Sequence, residues 1–314
     1  MNRILSPRSL VALAVFTAAL APAPAHALGA AFTCSAVTYQ VVGAQLKIGT
    51  VNTDVSPATL TYENVGAAHS SGYNAGGYNT ADDYIYAISS LREVLKIASD
   101  GTLEATDIAS IPSDASFIAG DVTPDGLSLI AVNFIDKSVW SIDLLTVAGT
   151  QIGSLGSADV GDFAIVTDGG VTTAYGIDTV TGNLVFFDPT ANPIVVESNT
   201  SVEIGAGGAK GAVWADSSGN LTVFVNTTGD VYSVKNPSAN SPSVNKVASL
   251  GSSSTQNDGM KCALAASAFP EPDESTEELA ATGLSTVDFS IMALTGIALF
   301  AVGNALRRSR RRQS

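Results

Sequence analysis

Histidine, cysteine and arginine are all scarce in this chain, and each scarcity removes a class of chemistry. There are two histidines and two cysteines in 314 residues. His26 lies in an N-terminal leader, which leaves His69 in the loop-like stretch Ala67-Ala68-His69-Ser70-Ser71. No Gly-x-Ser-x-Gly elbow accompanies it, so nothing supports a Ser-His hydrolase triad. A zinc site of the Cys/His kind lacks ligands. No twelve-residue calcium loop of the EF-hand pattern and no phosphate-binding glycine loop before a helix is present. Cations are scarce as well. Arg3 and Arg8 stand in the leader and five arginines lie between 307 and 312, so residues 28–283 hold eight basic against 28 acidic residues, a net of about −20. A domain this acidic repels nucleic acid and anionic lipid, which excludes both as partners.

The two ends carry what the middle lacks. Residues 1–27 have Arg3 and Arg8, an apolar run over 10–21 and then Ala25-His26-Ala27. This is the basic, apolar, small-x-small order of a secretory signal, with cleavage after Ala27. The alternative is a retained anchor, but about a dozen apolar residues fall short of the ~20 that span a bilayer. At the other end, Leu279-Ala280-Ala281-Thr282-Gly283 precedes an apolar stretch over 284–306 and then Arg307-Arg308-Ser309-Arg310-Arg311-Arg312. The stretch has transmembrane length and the arginines would stay on the cytoplasmic side.

This tripartite end resembles the sortase sorting signals of Gram-positive surface proteins. Ala280 stands where the commonest pattern has proline, giving the Leu-Ala-x-Thr-Gly variant associated with class E sortases of high-GC actinobacteria. The resemblance implies cleavage between Thr282 and Gly283 by a sortase and transfer of Thr282 to a peptidoglycan amine. A plain C-terminal membrane anchor is the alternative, and Asp288 at the start of the span is tolerated near an interface. Residues 267–278, with Pro270, Pro272 and five acids, read as an extended linker. The domain between is therefore expected outside the cell, anchored to the wall, from a membrane-spanning precursor.

Between the ends, runs rich in Val, Ile, Tyr and Phe alternate with Gly, Asp, Asn and Ser clusters, an all-β pattern. Five runs recur: Gln45-Leu46-Lys47-Ile48, Val94-Leu95-Lys96-Ile97, Val139-Trp140-Ser141-Ile142, Leu184-Val185-Phe186-Phe187 and Val231-Tyr232-Ser233-Val234. Their last residues are 49, 45, 45 and 47 positions apart. Another β run precedes each of the last four, over 84–88, 129–132, 173–177 and 221–225. Earlier still comes Gly with a turn, as at Gly120-Asp121, Gly161-Asp162 and Lys210-Gly211. Units of about 45 residues with room for four strands have the size of propeller blades. The expected fold is a single β-propeller over 28–266, with five four-stranded blades and a C-terminal transmembrane helix beyond it. Asn257-Asp258-Gly259-Met260-Lys261-Cys262 reads as a first strand whose partners, over 32–41, 45–48 and 59–62, stand at the N-terminus. Closure would then put Cys34 and Cys262 on neighbouring strands, in an oxidising compartment that permits a disulfide without compelling it; two free buried thiols are the alternative.

The stretches 77–86, 119–126 and 257–262 resemble a family of bacterial domains of unassigned function found in secreted and surface proteins. That resemblance covers about 34–266 and implies a propeller-like fold and an exported setting, without an activity.

Carboxylates are the remaining candidates for chemistry. Asp121, Asp162 and Asp258 fall near the start of the first strand of their units, the strands that line a propeller's channel, with Asn74 and Lys210 as possible neighbours. Such a ring would hold Ca²⁺ through hard oxygen ligands or supply an acid/base pair. Alternatively Asp recurs there because turns need it. No other cofactor is indicated. Trp140 and Trp214 read as blade core. The function expected is a surface-displayed module binding an unidentified ligand. A carboxylate-based hydrolase or lyase acting on envelope or external carbohydrate, and a structural envelope protein without a discrete ligand, are the alternatives.

Overall fold

A computed structural model describes residues 27–205, 208–250 and 257–269. The sorting motif, the apolar stretch after it and most of the leader lie outside them. Among the described residues there is no helix long and apolar enough to cross a membrane.

The described chain is all strand and turn. β1 (Thr38–Val42), β2 (Gln45–Asn52) and β3 (Ala58–Asn64) come first. Then follow β4 (Tyr73–Asn79), β5 (Tyr84–Ser89), β6 (Glu93–Ile97) and β7 (Leu103–Asp107) as one antiparallel sheet in chain order. The next sheet is β8 (Phe117–Val122), β9 (Ser128–Asn133), β10 (Ser138–Asp143) and β11 (Ala148–Ser154). After it come β12 (Val160–Asp168), β13 (Val171–Asp178), β14 (Leu184–Phe187) and β15 (Glu197–Asn199). β16 (Lys210–Ala215), β17 (Leu221–Val225), β18 (Asp230–Lys235), β19 (Ser243–Ser249) and β20 (Asn257–Lys261) complete the series.

β16 to β19 and the set β20-β1-β2-β3 share one eight-stranded sheet, ordered β16-β17-β18-β19-β3-β2-β1-β20. The two halves are joined in the strand ladder by a two-residue parallel pairing, Ala248 with Ala58 and Ser249 with Thr59. Within the second half, Gln40 pairs with Gly259 and Tyr39 with Met260, so the last strand lies against the first. Strands β4, β8, β12, β16 and β20 touch one another in that cyclic order, β20 returning to β4. The result is a β-propeller in which the first and last described strands share one sheet.

Alternation explains the packing. Strand residues i and i+2 share a face, and both faces of each sheet meet a neighbour, so the inner strands are apolar on both sides. Phe163, Ile130 and Val139 fill one intersheet layer; Tyr175, Val213 and Leu221 the next. Phe224 and Trp214 meet Leu60 in a third, Tyr39, Leu46 and Met260 meet Ile85 in a fourth, and Ile88 and Trp140 close the last. Trp140 and Trp214 are core residues, as expected, each with its indole N–H satisfied: by Ser138 Oγ at 2.8 Å and by the Tyr39 carbonyl at 3.0 Å.

The N-terminal segment departs from expectation. The strand expected over 32–41 begins only at Thr38. Residues 28–34 instead run along the β4–β7 sheet, where the Gly29 N–H donates to Thr102 Oγ1 at 2.7 Å and the Phe32 N–H to the Asp83 carbonyl at 2.7 Å. Cys34 and Cys262 form a disulfide, with Cα atoms 5.3 Å apart. Neither lies within a strand: Cys34 precedes β1 and Cys262 follows β20, so the bridge joins the approaches to the shared sheet rather than two rungs of it.

Candidate functional site

The inner strands approach one another closely, and the sequence allows it by placing glycine at the contacts. A Cβ on Gly120 of β8 would lie 2.7 Å from the Ala75 backbone of β4, nearer than real Cβ atoms come. Beside these glycines stand the aspartates. Asp121 lies on β8, Asp162 on β12 and Asp258 on β20, all inner strands, as their spacing predicts.

Their oxygens are aimed at neighbouring sheets. Asp121 accepts the N–H of its own chain neighbour Val122 at 2.8 Å and, across the gap, that of Ile165 on β12 at 2.8 Å. Asp162 accepts from Phe163 at 2.7 Å, from Val213 on β16 at 2.6 Å and from Gly259 on β20 at 3.0 Å. Asp258 Oδ2 accepts the N–H of Gly76 on β4. Each carboxyl thus ties its inner strand to at least one other. A turn-forming role does not describe them, because the acceptors reach across sheets and not into local turns.

Burial decides their protonation. Asp162 and Asp258 have no exposed surface. Desolvation pushes Asp121 up to about 8 against its N–H partners, with a further contribution from Asp162. Asp162 and Asp258 titrate as a pair, both raised, first by desolvation. The Asp162 carboxylate raises Asp258 further, and the N–H groups of Val213, Gly259 and Phe163 favour the ionised form of Asp162. Asp258 Oδ1 meets no donor among the described residues, which leaves it as the atom to carry the proton. Donors aimed at these oxygens compete with a cation for the same lone pairs. Among the described residues no group of three or more His, Cys, Asp and Glu side chains is placed to hold a metal ion. Ca²⁺ ligation by Asp121, Asp162 and Asp258 therefore has position in its favour and donor arrangement against it.

Asn74 and Lys210 do not join the three. Lys210 is fully buried at the start of β16 and caps a loop, its Nζ donating to the carbonyls of Gly205 at 2.6 Å and Gly208 at 3.0 Å. Asn74 lies at the start of β4 and lines a different cavity.

A cavity of about 200 Å³ opens where the inner strands end. Asp121, Tyr78, Ile165, Trp214, Asp216 and Lys261 are among its walls. Lys261, a lysine ending an inner strand, was not among the candidates read from the sequence. Its Nζ donates to the carbonyls of Ala265 at 2.7 Å and Cys262 at 3.1 Å, and desolvation lowers it to about 8, partly opposed by Asp216. Only the strand alternation of 257–262 hinted that it would turn inward. His69 lies in a loop, as expected: Ser71 Oγ and His69 Nδ1 are 2.8 Å apart, and the Ser71 N–H also donates to that nitrogen, a local turn contact.

No curated protein matches the chain. Among solved structures it is similar to one chain of a nidogen/laminin complex at 7% identity, covering 72% of this chain and 98% of that one with a TM-score of 0.48. A streptogramin B lyase is similar at 11% identity, over 56% of this chain and 54% of that one, TM-score 0.40. A protein of unknown function from Bacteroides caccae is similar at 12% identity, over 68% and 73%, TM-score 0.40. Residues 37–264 match the family model described as a repeat of unknown function, and the chain belongs to that family, DUF6923.

Proposed function

We propose that this protein is a five-bladed propeller displayed on the outer face of a Gram-positive envelope, where it acts as a binding module. Treating the eight-stranded sheet as two blades joined at Ala248 and Ser249 gives the count of five. Export through the leader, cleavage after Ala27 and sortase transfer of Thr282 to peptidoglycan are the route that the two chain ends suggest.

One observation carries the choice of binding over hydrolysis. The three carboxyls at the centre are spent on N–H groups of neighbouring strands, so they are structural before they are chemical. A carboxylate hydrolase needs an acid and a base that both face the substrate. Of the three, Asp121 lines the cavity at the ends of the inner strands, and both its oxygens already accept N–H groups.

Fractionation tests the display. Wild-type protein is expected to leave the envelope only after muralytic digestion, carrying a peptidoglycan fragment on Thr282, and Thr282→Ala is expected to stay in the detergent-soluble membrane fraction. Complete detergent extraction of the wild type would refute the anchoring.

A further inference from the structure

The opposite end of the inner strands holds a second cavity, of about 710 Å³, between the β1–β2 turn, the starts of β4 and β8, and the β5–β6 turn. It shares none of the carboxyls described above. Arg92 is one of its walls. It is the sole arginine between residues 9 and 306, in a domain carrying about −20. Its guanidinium makes no ion pair or hydrogen bond among the described residues. The backbone beneath it is fixed, with the Arg92 N–H donating to the Ser89 carbonyl at 2.9 Å and the Arg92 carbonyl accepting from Ile108 at 3.0 Å.

Asn74 also lines the cavity, and its Oδ1 is buried without any hydrogen-bond partner among the described residues. A buried acceptor left unmet costs on the order of 1–3 kcal/mol, so a group that donates to it gains accordingly. The pocket is therefore lined by an arginine whose guanidinium has no partner and by an asparagine with an unmet acceptor among the described residues. Tyr73 and Phe117, both buried, are also among its walls, and Ser116 there is exposed. Two carboxylates are close by, and neither is paired with Arg92. Glu93 accepts from Ser89 Oγ at 2.8 Å, and Asp114 lies exposed at the rim.

We propose that this cavity binds an acidic saccharide, its carboxylate held by Arg92 and one of its hydroxyls donated to Asn74. The proposal deepens the binding-module reading and rests on it. A carboxylate fits the guanidinium fork in a bidentate pair, where a neutral ring would leave Arg92 unmatched. Once the Asn74 amide turns toward the cavity, a hydroxyl donates to its Oδ1, a match that a bare anion cannot make. Walls that mix aromatic, aliphatic and hydroxyl side chains suit a sugar ring, and the volume falls within the ordinary range of small-molecule sites.

The test is saturation-transfer NMR and calorimetry on the full chain in detergent micelles, with glucuronic acid, glucose, acetate and D-alanyl-D-alanine as separate probes. Glucuronic acid is expected to bind saturably, with glucose and acetate each weaker by about tenfold or more, since each lacks one half of the match. Arg92→Gln and Arg92→Lys are each expected to weaken glucuronic acid binding about tenfold or more with an unchanged melting temperature. Lys keeps the charge and loses the fork, so it also covers the case in which Arg92→Gln fails to fold. Asn74→Ala is expected to weaken glucuronic acid and to leave acetate as it was. No saturable glucuronic acid binding, equal binding by Arg92→Lys, or a preference for the dipeptide would overturn the proposal. None of these outcomes bears on wall anchoring, which fractionation tests independently; dipeptide binding in particular would remove the saccharide and keep the binding module.

Discussion

An N–H group deep among packed sheets must find an acceptor, and where the regular ladder cannot supply one a side chain has to. Strands β4, β8, β12 and β16 all carry register shifts against their second strands, which displace backbone donors from the ladder. These strands and β20 are also edge strands, paired on one side only, and the aspartates collect N–H groups from those free edges, with only Gly76 and Phe163 lying at a register shift. Asp162 takes three, from Phe163, Val213 and Gly259, on three different strands. Asp162→Ala orphans all three together, and each unmet buried donor costs about 1–3 kcal/mol. Urea unfolding of this variant is expected to show a loss of at least about 3 kcal/mol, and an effect under about 1 kcal/mol would mean that water replaces the carboxyl without penalty. The same arrangement sets the response to calcium. Millimolar Ca²⁺ in low salt is expected to leave the melting temperature where it was; a rise of several degrees that disappears in Asp162→Ala would reinstate these carboxyls as cation ligands.

At the scale of strands, most of the fold was legible because period two, turn residues and spacing all agree. The recurring runs became β2, β6, β10, β14 and β18, and the run over 257–262 became β20. The Gly-Asp pairs were legible as a recurrence, but their purpose was not. Close approach of β8 to β4 is a tertiary fact, and nothing local distinguishes a glycine needed by a distant backbone from one needed by a turn. Gly120 has no left-handed torsion to explain it, whereas a Cβ there would meet the Ala75 backbone. Gly120→Ala should therefore destabilise by about 1–3 kcal/mol through overpacking, although alanine suits a strand at least as well as glycine. Thermal denaturation checks this, and a neutral or stabilised variant would show that the inner strands can part. Arg92 and Asn74 were illegible as a pair because they line one cavity only once β4, β8 and the β5–β6 turn are packed around it. The disulfide was legible as a possibility, yet its place beyond the strand ends was not. Closing a loop with a sequence separation of 228, it restricts the unfolded chain by about 5 kcal/mol in the loop-entropy account. Cys34→Ser should lower the melting temperature markedly, and an unchanged midpoint under reducing conditions would show that strand pairing alone closes the ring.

For the whole molecule, two populations of carboxyls pull stability in opposite directions with pH. Asp136 and Asp143 sit below the ordinary range chiefly because nearby hydroxyls and N–H groups favour their ionised forms. Asp159, Asp178 and Asp230 are also lowered, their hydrogen bonds outweighing desolvation. A group lowered on folding contributes stability that is present above its unfolded value and lost as pH falls through its folded one. Asp121, Asp162 and Asp258 are raised, so the folded state binds more protons than the unfolded chain between the ordinary value of 3.8 and, for Asp121, about 8. Stability must fall with rising pH across that window. Repulsion within a domain of about −20 acts in the same sense as the carboxyls ionise. Lys261, lowered to about 8, works the other way only above that point, where the unfolded chain still holds a proton that the folded one has released. The melting temperature is therefore expected to peak near pH 4–5, just above the unfolded carboxylate range, and to decline steadily toward pH 8. Asp121→Asn removes one raised carboxyl while keeping an acceptor for Ile165, and should flatten the decline between pH 6 and pH 8 more than it lowers the peak. Scanning calorimetry from pH 3 to pH 9 decides it. A curve rising toward neutrality would mean that the central carboxyls are ionised in the folded protein, and that something other than backbone N–H groups compensates them.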